Sequence, residues 1–352
     1  VHISNLLHPT GDFSVMNPLY TSQTDRNIAT AIIQSSSSIT ASNVTITNSA
    51  HIYDSNTYSI QRGADVECFV FRVTNDLVAE NLTVTDACVS ETVYSQDRPF
   101  YYYSVASNGR SSSTYDCDGL NPNSAYSSLH VLTTIGDSSS NPDGSCRLHA
   151  SFVAFVTGSV SFENIVVHDS AIVNVHFSHT SSSYWNYRHA TSLAAVLFSE
   201  GGGQVTNMDV LHSGNASTTS AYSHSNMHLN AFSYLVALEG GSTSVLYVNN
   251  SELNHSSVTP ECSTSYFDAQ HWFAAGVGTG TVIVRDTNIS EITLSSSCSS
   301  QGDAGMAWLS SNGEFLRKWT IDVRVVDPDG VFTPNATVKA YENSIWLLGN
   351  KS

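Results

Sequence analysis

The feature that most constrains this chain is a short pattern that recurs about every 40 residues, the repeat length of a solenoid or a propeller. In each copy an Asn is followed by apolar residues that alternate with others. The copies begin at Asn43, Asn81, Asn164, Asn207 and Asn250, which lie 38, 83, 43 and 43 residues apart. The spacing of 83 is about two periods, so one degenerate copy with a long excursion is expected between Cys88 and Cys146. A unit this small cannot bury its own apolar face, so the copies must stack.

Each copy also contains an earlier apolar strand, separated from the Asn-led strand by a turn that contains Gly or Ser. These strands are short and rich in Val, Ile, Phe, Tyr and Thr, which is typical of β-structure. They run over residues 68–73, 151–156, 192–198, 233–238 and 272–277. No long helical pattern accompanies them, so the sequence predicts an all-β fold.

Two architectures stack units of this length: a parallel β-helix and a propeller. A propeller blade supplies four strands, whereas each copy here shows two clear ones, which favours the β-helix. The organisation resembles the right-handed parallel β-helix family typified by pectate lyases, over residues 28–309. The resemblance implies a solenoid of about six to seven irregular coils with long loop insertions. We expect an N-terminal cap over 1–27, the β-helix over 28–310 with its main insertion at 90–145, and a C-terminal β-hairpin and tail over 311–352.

The recurrent Asn has two interpretations. In β-helices of this family, Asn residues at one bend stack in a ladder whose side-chain amides bond between coils, and Asn164 and Asn207 look like members of one. Asn43 and Asn81 occupy the same repeat position but stand in glycosylation sequons. They are either unmodified ladder members or outward-facing glycosylated residues, because a buried ladder Asn cannot carry a glycan.

The sequons and cysteines indicate an extracellular or cell-surface glycoprotein with N-linked glycans. Eight Asn-x-Ser/Thr sequons are present, at Asn43, Asn81, Asn215, Asn249, Asn254, Asn288, Asn335 and Asn350. There are six cysteines and neither a CxxC pair nor zinc-ligand spacing. Pairing neighbours along the chain gives the disulfides Cys68–Cys88, Cys117–Cys146 and Cys262–Cys298, one of 15 connectivities that six cysteines allow.

The charge balance excludes two classes of partner. The chain has 30 acidic and 13 basic residues and a formal net charge of −17. Nucleic acids and anionic membranes require clustered Lys and Arg, so neither is expected as a partner. No apolar run is long enough to span a bilayer.

No catalytic motif and no cofactor-binding motif is found. The polyuronate lyase and hydrolase motifs of pectate-lyase-like enzymes do not occur, so no enzymatic activity is expected. The turn formed by Asp116, Asp118 and Asn121 is a weak candidate for Ca²⁺, although it lacks the trailing bidentate Glu of an EF-hand loop.

The C-terminal tail is apolar for a chain end, at Ile345, Trp346, Leu347 and Leu348. Either the tail caps the last coil or it docks on another subunit, since an open β-helix end exposes unpaired strand edges.

The leading functional hypothesis is an extracellular structural glycoprotein, a homopolymer that assembles end to end into a filament or surface layer. A cell-surface adhesin or carbohydrate-binding protein is the first alternative, with Tyr184 and Trp185 stacking on sugar rings. A polysaccharide lyase or hydrolase is the second alternative.

Overall fold

The computed structural model describes residues 1–4, 10–11, 26–56, 64–94, 146–177, 188–220, 227–255, 268–290, 303–320, 325–326, 328–330, 341–342 and 345–346. The chain divides into two compact units, Val1–Arg317 and Lys318–Ser352. The boundary expected at 310/311 lies inside the last long strand, which continues to Lys318.

The described residues of the first unit form one extended sheet. Its strands are β1 (His2–Ser4), β2 (Thr10–Gly11), β3 (Arg26–Ser35), β4 (Ile39–Asn56), β5 (Ala64–Val73), β6 (Leu77–Tyr94), β7 (Cys146–Val156), β8 (Val160–His168), β9 (Ile172–Phe177), β10 (Arg188–Ser199), β11 (Gly203–Leu211), β12 (Asn215–Ser220), β13 (Met227–Glu239), β14 (Val245–Asn249), β15 (Glu252–Leu253), β16 (Asp268–Arg285), β17 (Asn288–Ile289) and β18 (Asp303–Lys318).

The strands of this sheet pair in parallel with strands one repeat away along the chain. β5 pairs with β7, β7 with β10, β10 with β13, and β13 with β16. β4, β6, β8 and β11 pair in the same way. The chain therefore winds back on itself once per repeat, and the parallel sheet is strongly curled, as is compatible with a β-helix. We call one such turn of the chain a winding, and a set of residues in register on successive windings a column.

Three rows of strands make up each complete winding. The first row contains β3, β5, β7, β10, β13 and the beginnings of β16 and β18. The second contains the first parts of β4 and β6, then β8, β11, β14, β15, the end of β16 and β17. The third contains the ends of β4 and β6, then β9 and β12. The predicted strand segments at 68–73, 151–156, 192–198, 233–238 and 272–277 all lie inside first-row strands.

The interior of the windings is an apolar core. Two consecutive residues of each first-row strand belong to it, for example Val70 with Phe71 and Val153 with Ala154. Side chains of a straight strand alternate between faces, so two consecutive inward residues mark a bend. The bend curls the first row around the core.

The opposite face of the first row is buried as well. Phe69 and Phe152 stack there with ring centroids 5.5 Å apart, and Phe155 and Phe198 stack at 4.8 Å. All four rings are buried. This second core explains why the first-row strands are almost wholly apolar, as is typical of parallel sheets covered on both faces.

Buried hydroxyls join the windings between the second and third rows. The Ser170 hydroxyl donates to the His168 carbonyl at 2.7 Å and accepts from the Ala87 amide at 3.1 Å. One winding further on, the Ser213 hydroxyl accepts from the Ser170 amide at 3.0 Å. Each buried hydroxyl therefore satisfies backbone groups that the bend takes out of the sheet.

The second unit contains one described strand pair, β19 (Tyr341–Glu342) and β20 (Ile345–Trp346), which are antiparallel with Tyr341 opposite Trp346. Most of the hairpin predicted for the tail between residues 320 and 340 lies outside the described residues.

Candidate assembly surfaces

Among the described residues, the apolar core is less deeply buried at the two ends of the curled sheet than in its middle. In the middle windings its side chains, such as Leu77, Leu197 and Val236, are fully buried. The residues that continue the core at either end are only partly buried. At the N-terminal end they are Ile3, Ile32, Ile33 and Ile39, and at the C-terminal end they are Met306, Ala307 and Phe315.

The strands that carry these residues lie at the two ends of the sheet. Among the described strands, β3 has a full-length partner only in β5. β1 and β2 pair farther along, with Thr45–Thr47 and with Tyr53 and Asp54 of β4. At the other end, β18 pairs with β16. We call β3 together with residues 39–42 the first edge, and β18 the last edge.

Neither edge carries the negative charge that dominates the chain. The formal net charge is −17, yet the first edge carries a single charged residue, Arg26. On the last edge, the acids Asp303 and Glu314 are balanced by the bases Arg317 and Lys318. Copies of an acidic protein repel one another, and ends without net negative charge are the places where they can meet.

A ladder of Asn side chains runs along the outside of the second row. Nδ2 of Asn81 donates to Oδ1 of Asn43 at 3.3 Å, Asn164 donates to Asn81 at 3.2 Å, and Asn207 donates to Asn164 at 2.6 Å. The predicted ladder is present, but its members are exposed, not buried as expected. Burial therefore does not keep glycans off Asn43 and Asn81.

Backbone geometry explains why the ladder position repeats Asn. Residues there adopt positive φ, which costs most side chains about 1–2 kcal/mol, while Asn and Asp tolerate it. The values are 53° at Asn43, 53° at Asn81, 56° at Asn164, 57° at Asn207, 50° at Asn250 and 50° at Asp286. At the last of these positions the residue is Asp286, which tolerates the same conformation.

The other sequons occupy varied surroundings. Asn288 is exposed at the start of β17, and Asn249 is half-buried at the end of β14. Asn254 donates to Oε1 of Glu252 at 2.9 Å, and Oδ1 of Asn215 lies 3.3 Å from Nδ1 of His255. Asn335 and Asn350 lie outside the described residues.

One disulfide joins described cysteines. Cys68 on β5 and Cys88 on β6 are bonded with their Cα atoms 5.4 Å apart, and both are fully buried. It is the first of the three predicted pairs. Cys146 begins β7, and Cys117, Cys262 and Cys298 lie outside the described residues.

Several other predicted site residues also lie outside the described ranges. They are the Ca²⁺ candidates Asp116, Asp118 and Asn121, the sugar-stacking candidates Tyr184 and Trp185, and Leu347 and Leu348 of the tail. Ile345 and Trp346 form β20. Within the described ranges, no group of three or more His, Cys, Asp or Glu residues is placed to hold a metal ion.

A pair of carboxylates lies at the turn between the first and second rows. Glu200 and Glu239 directly follow Ser199 and Leu238, which are in register on β10 and β13. Burial raises the pKa of Glu239 to about 7, and the neighbouring Glu200 carboxylate adds to the rise. Burial also raises the pKa of Glu200. This turn therefore holds an acid that titrates near neutral pH.

His255 is a buried base, and burial shifts its pKa downward. It is almost fully buried, and its Nε2 donates to the Phe273 carbonyl at 2.8 Å. Burial lowers the pKa of His255 to about 4, against the opposing effect of backbone hydrogen bonds to Phe273 and Ser213. The neutral imidazole therefore serves as a structural link between windings.

Comparison with known proteins gives no relative: no protein family, curated protein or solved structure matches this chain. Within the described part of the chain, no helical segment has the length and hydropathy that crossing a membrane requires.

Proposed function

We propose that this chain is an extracellular structural glycoprotein whose copies assemble end to end into a filament or a surface layer. The observation that carries the proposal is the partly buried apolar core at both ends of the curled sheet, at Ile33 and Ile39 on one end and Ala307 and Phe315 on the other. Parallel strand edges with exposed apolar side chains pair readily with further strands.

The proposal includes the finer architecture. The curled parallel sheet is taken to be a β-helix of the pectate-lyase-like type, with about six to seven windings. Windings that stack with a strand spacing of about 4.8 Å make a rod, and a rod with two unlike ends is suited to polymerisation.

The extracellular part of the proposal rests on covalent chemistry. A buried disulfide between Cys68 and Cys88 persists in an oxidising compartment and is rare in a reducing one. Among the described sequons, Asn43, Asn81 and Asn288 are exposed, and Asn288 is not a member of the Asn ladder. We therefore propose N-linked glycans on this surface.

The test is to secrete the chain from a eukaryotic host and to measure its mass and its state of assembly. Intact mass before and after enzymatic glycan removal reports glycosylation, with Asn288→Gln as the control for one site. Sedimentation velocity and electron microscopy over increasing concentration report assembly. We expect a mass above 37.9 kDa that falls on glycan removal, together with elongated particles. A monomer of unmodified mass at every concentration contradicts the proposal.

A further inference from the structure

We propose that copies join head to tail, with the last edge of one copy pairing in parallel with the first edge of the next. This inference rests on the proposed function and names its contact. In the joined pair, β18 continues the first row and the beginning of the second row onto β3 and residues 39–42 of the following copy. The partner is therefore a second copy of this chain.

The first argument is that one apolar column runs through both edges. Ile33 is in register with Phe71, Phe71 with Ala154, and Ala154 with Leu197. The column continues through Val236 to Ala275. In the next winding, Gly305 lies beside the Phe273 ring and is followed by two consecutive residues that pack on the core, Met306 and Ala307. On this basis we align Met306 and Ala307 with Ala274 and Ala275. Ala307 thus ends the column that Ile33 begins.

A second column, in the second row of the same windings, also runs from one edge to the other. Ile39 is in register with Leu77, Leu77 with Val160, and Val160 with Gly203. The column continues through Leu246 to Val282. The Thr281 hydroxyl donates to Oε2 of Glu314 at 3.2 Å, and Phe315 packs against the core. From this contact we align Phe315 with Val282. Phe315 therefore ends the column that Ile39 begins.

Strand direction selects head-to-tail contact over head-to-head contact. The pairings described along the curled sheet are parallel, and continuing them requires the next copy to have the same orientation. A head-to-head pair makes the edge strands antiparallel and breaks both columns. A contact between two unlike surfaces that does not close on itself extends indefinitely, as a filament requires.

One side chain must move for the contact to form. Nη1 of Arg317 donates to Sδ of Met306 at 3.3 Å, so the guanidinium lies against a partly buried residue at the end of the core. Arg317 is exposed, and its long stem allows the charge to turn to the rim. The inward charge opposes uncontrolled pairing of the last edge, as charged residues commonly do on edge strands.

The experiment uses cysteine pairs placed at the two edges of the full chain. Ile33→Cys with Ala307→Cys, and Ile39→Cys with Phe315→Cys, join residues of one column. The swapped pairs, Ile33→Cys with Phe315→Cys and Ile39→Cys with Ala307→Cys, are matched controls. A disulfide needs Cα atoms within about 7 Å, which only residues of the same column meet across the contact. The unaltered chain, oxidised in parallel, reports any background from native cysteines.

We expect the same-column pairs to give a ladder of covalent oligomers on mild oxidation, at least about tenfold more abundant than with the swapped pairs. Ile33 and Ala307 end one column of the same copy, about 30 Å apart at a strand spacing of about 4.8 Å. A disulfide between these two positions therefore cannot form within one chain. Equal cross-linking of matched and swapped pairs in assembling protein overturns the inference and leaves the proposed function standing. Covalent dimers from Ile33→Cys alone indicate head-to-head contact and also overturn it.

A charge variant tests the same contact without altering the core. Thr40 is exposed on the first edge, and Ser161 is exposed in the same column two windings inward. Thr40→Glu places a carboxylate against Leu316 of the joining copy, whereas Ser161→Glu adds the same charge away from both edges. We expect Thr40→Glu to raise the concentration needed for assembly at least about tenfold and Ser161→Glu to leave it near that of the unaltered chain. Equal effects of the two variants contradict the proposed contact. If the unaltered chain does not assemble at all, both the contact and the proposed function are wrong.

Discussion

Nδ2 of Asn207 donates a 2.6 Å hydrogen bond to Oδ1 of Asn164 on the preceding winding, and both residues hold positive φ. The position therefore makes two demands, one on the backbone and one on the side chain. Asn164→Gly retains access to positive φ and loses only the amide, whereas Asn164→Ala loses both.

We expect Asn164→Ala to lower the free energy of unfolding by about 2–3 kcal/mol and Asn164→Gly to lower it by about 1–2 kcal/mol. Denaturant unfolding followed by circular dichroism measures both. If Asn164→Ala is no worse than Asn164→Gly, backbone strain is not what selects Asn at this position.

The Cys68–Cys88 disulfide, with a sequence separation of 20 residues, joins the first row to the bend between the second and third rows. Replacing both residues by Ala should lower the free energy of unfolding by about 2–4 kcal/mol, because the unfolded chain regains the freedom that the cross-link removes. Denaturant midpoints of the variant and of the unaltered chain provide the measurement. A midpoint that does not change shows that the cross-link adds no stability.

Glu239 makes stability depend on pH. Its pKa is about 7 in the folded chain and near the ordinary value of 4.5 when unfolded. Between those pH values the folded state binds more protons at Glu239 than the unfolded state does. The free energy of unfolding therefore falls as the pH rises through that range. Glu239→Gln should remove the loss and gain stability relative to the unaltered chain as the pH increases from 4.5 to 7.

Thermal melting of the two chains at a series of pH values tests this, and taking the difference cancels other titrating groups such as His255. Glu163→Gln, at an exposed position of the second row, controls for the removal of one negative charge. A difference curve for Glu239→Gln that matches the control rules out the buried carboxylate as the source.

Arg317 should weaken assembly, since its guanidinium must leave the end of the core for another copy to pack there. Arg317→Met keeps most of the apolar stem and removes the charge. We expect it to lower the concentration needed for assembly about tenfold, measured by light scattering. Arg285→Met, at an exposed position of β16 one winding before the last edge, is the control. A higher concentration requirement for Arg317→Met contradicts this role.

Much of the fold follows from local sequence patterns. The Asn at position 164 predicts a bend because few other side chains accept positive φ, and the predicted strand segments fall inside the first-row strands. The pattern of alternation does not reveal that Val70 and Phe71 both point inward, because a bend within a strand leaves no composition signal. The pattern also does not reveal that the outer face of the first row, which carries Phe152 and Phe198, is buried. An apolar run is compatible with burial on one face of a strand or on both.

The candidate edges could be predicted only in part. Sequence analysis assigned the assembly role to the apolar tail at 345–348, and residues 311–318 were assigned to the tail segment because their composition differs from that of the repeats. The structure places these residues in β18, where Phe315 continues the core. A single aromatic residue among Glu314, Leu316 and Arg317 carries too little periodicity to identify a last winding.

Fibre diffraction from concentrated, oriented protein tests the central claim most directly. If copies continue one parallel sheet from end to end, the strands lie across the fibre and a meridional reflection appears at about 4.8 Å. The account predicts this reflection from fibres of the unaltered chain and its loss from Thr40→Glu preparations. Discrete particles that never form fibres, or fibres with no meridional reflection at that spacing, contradict it.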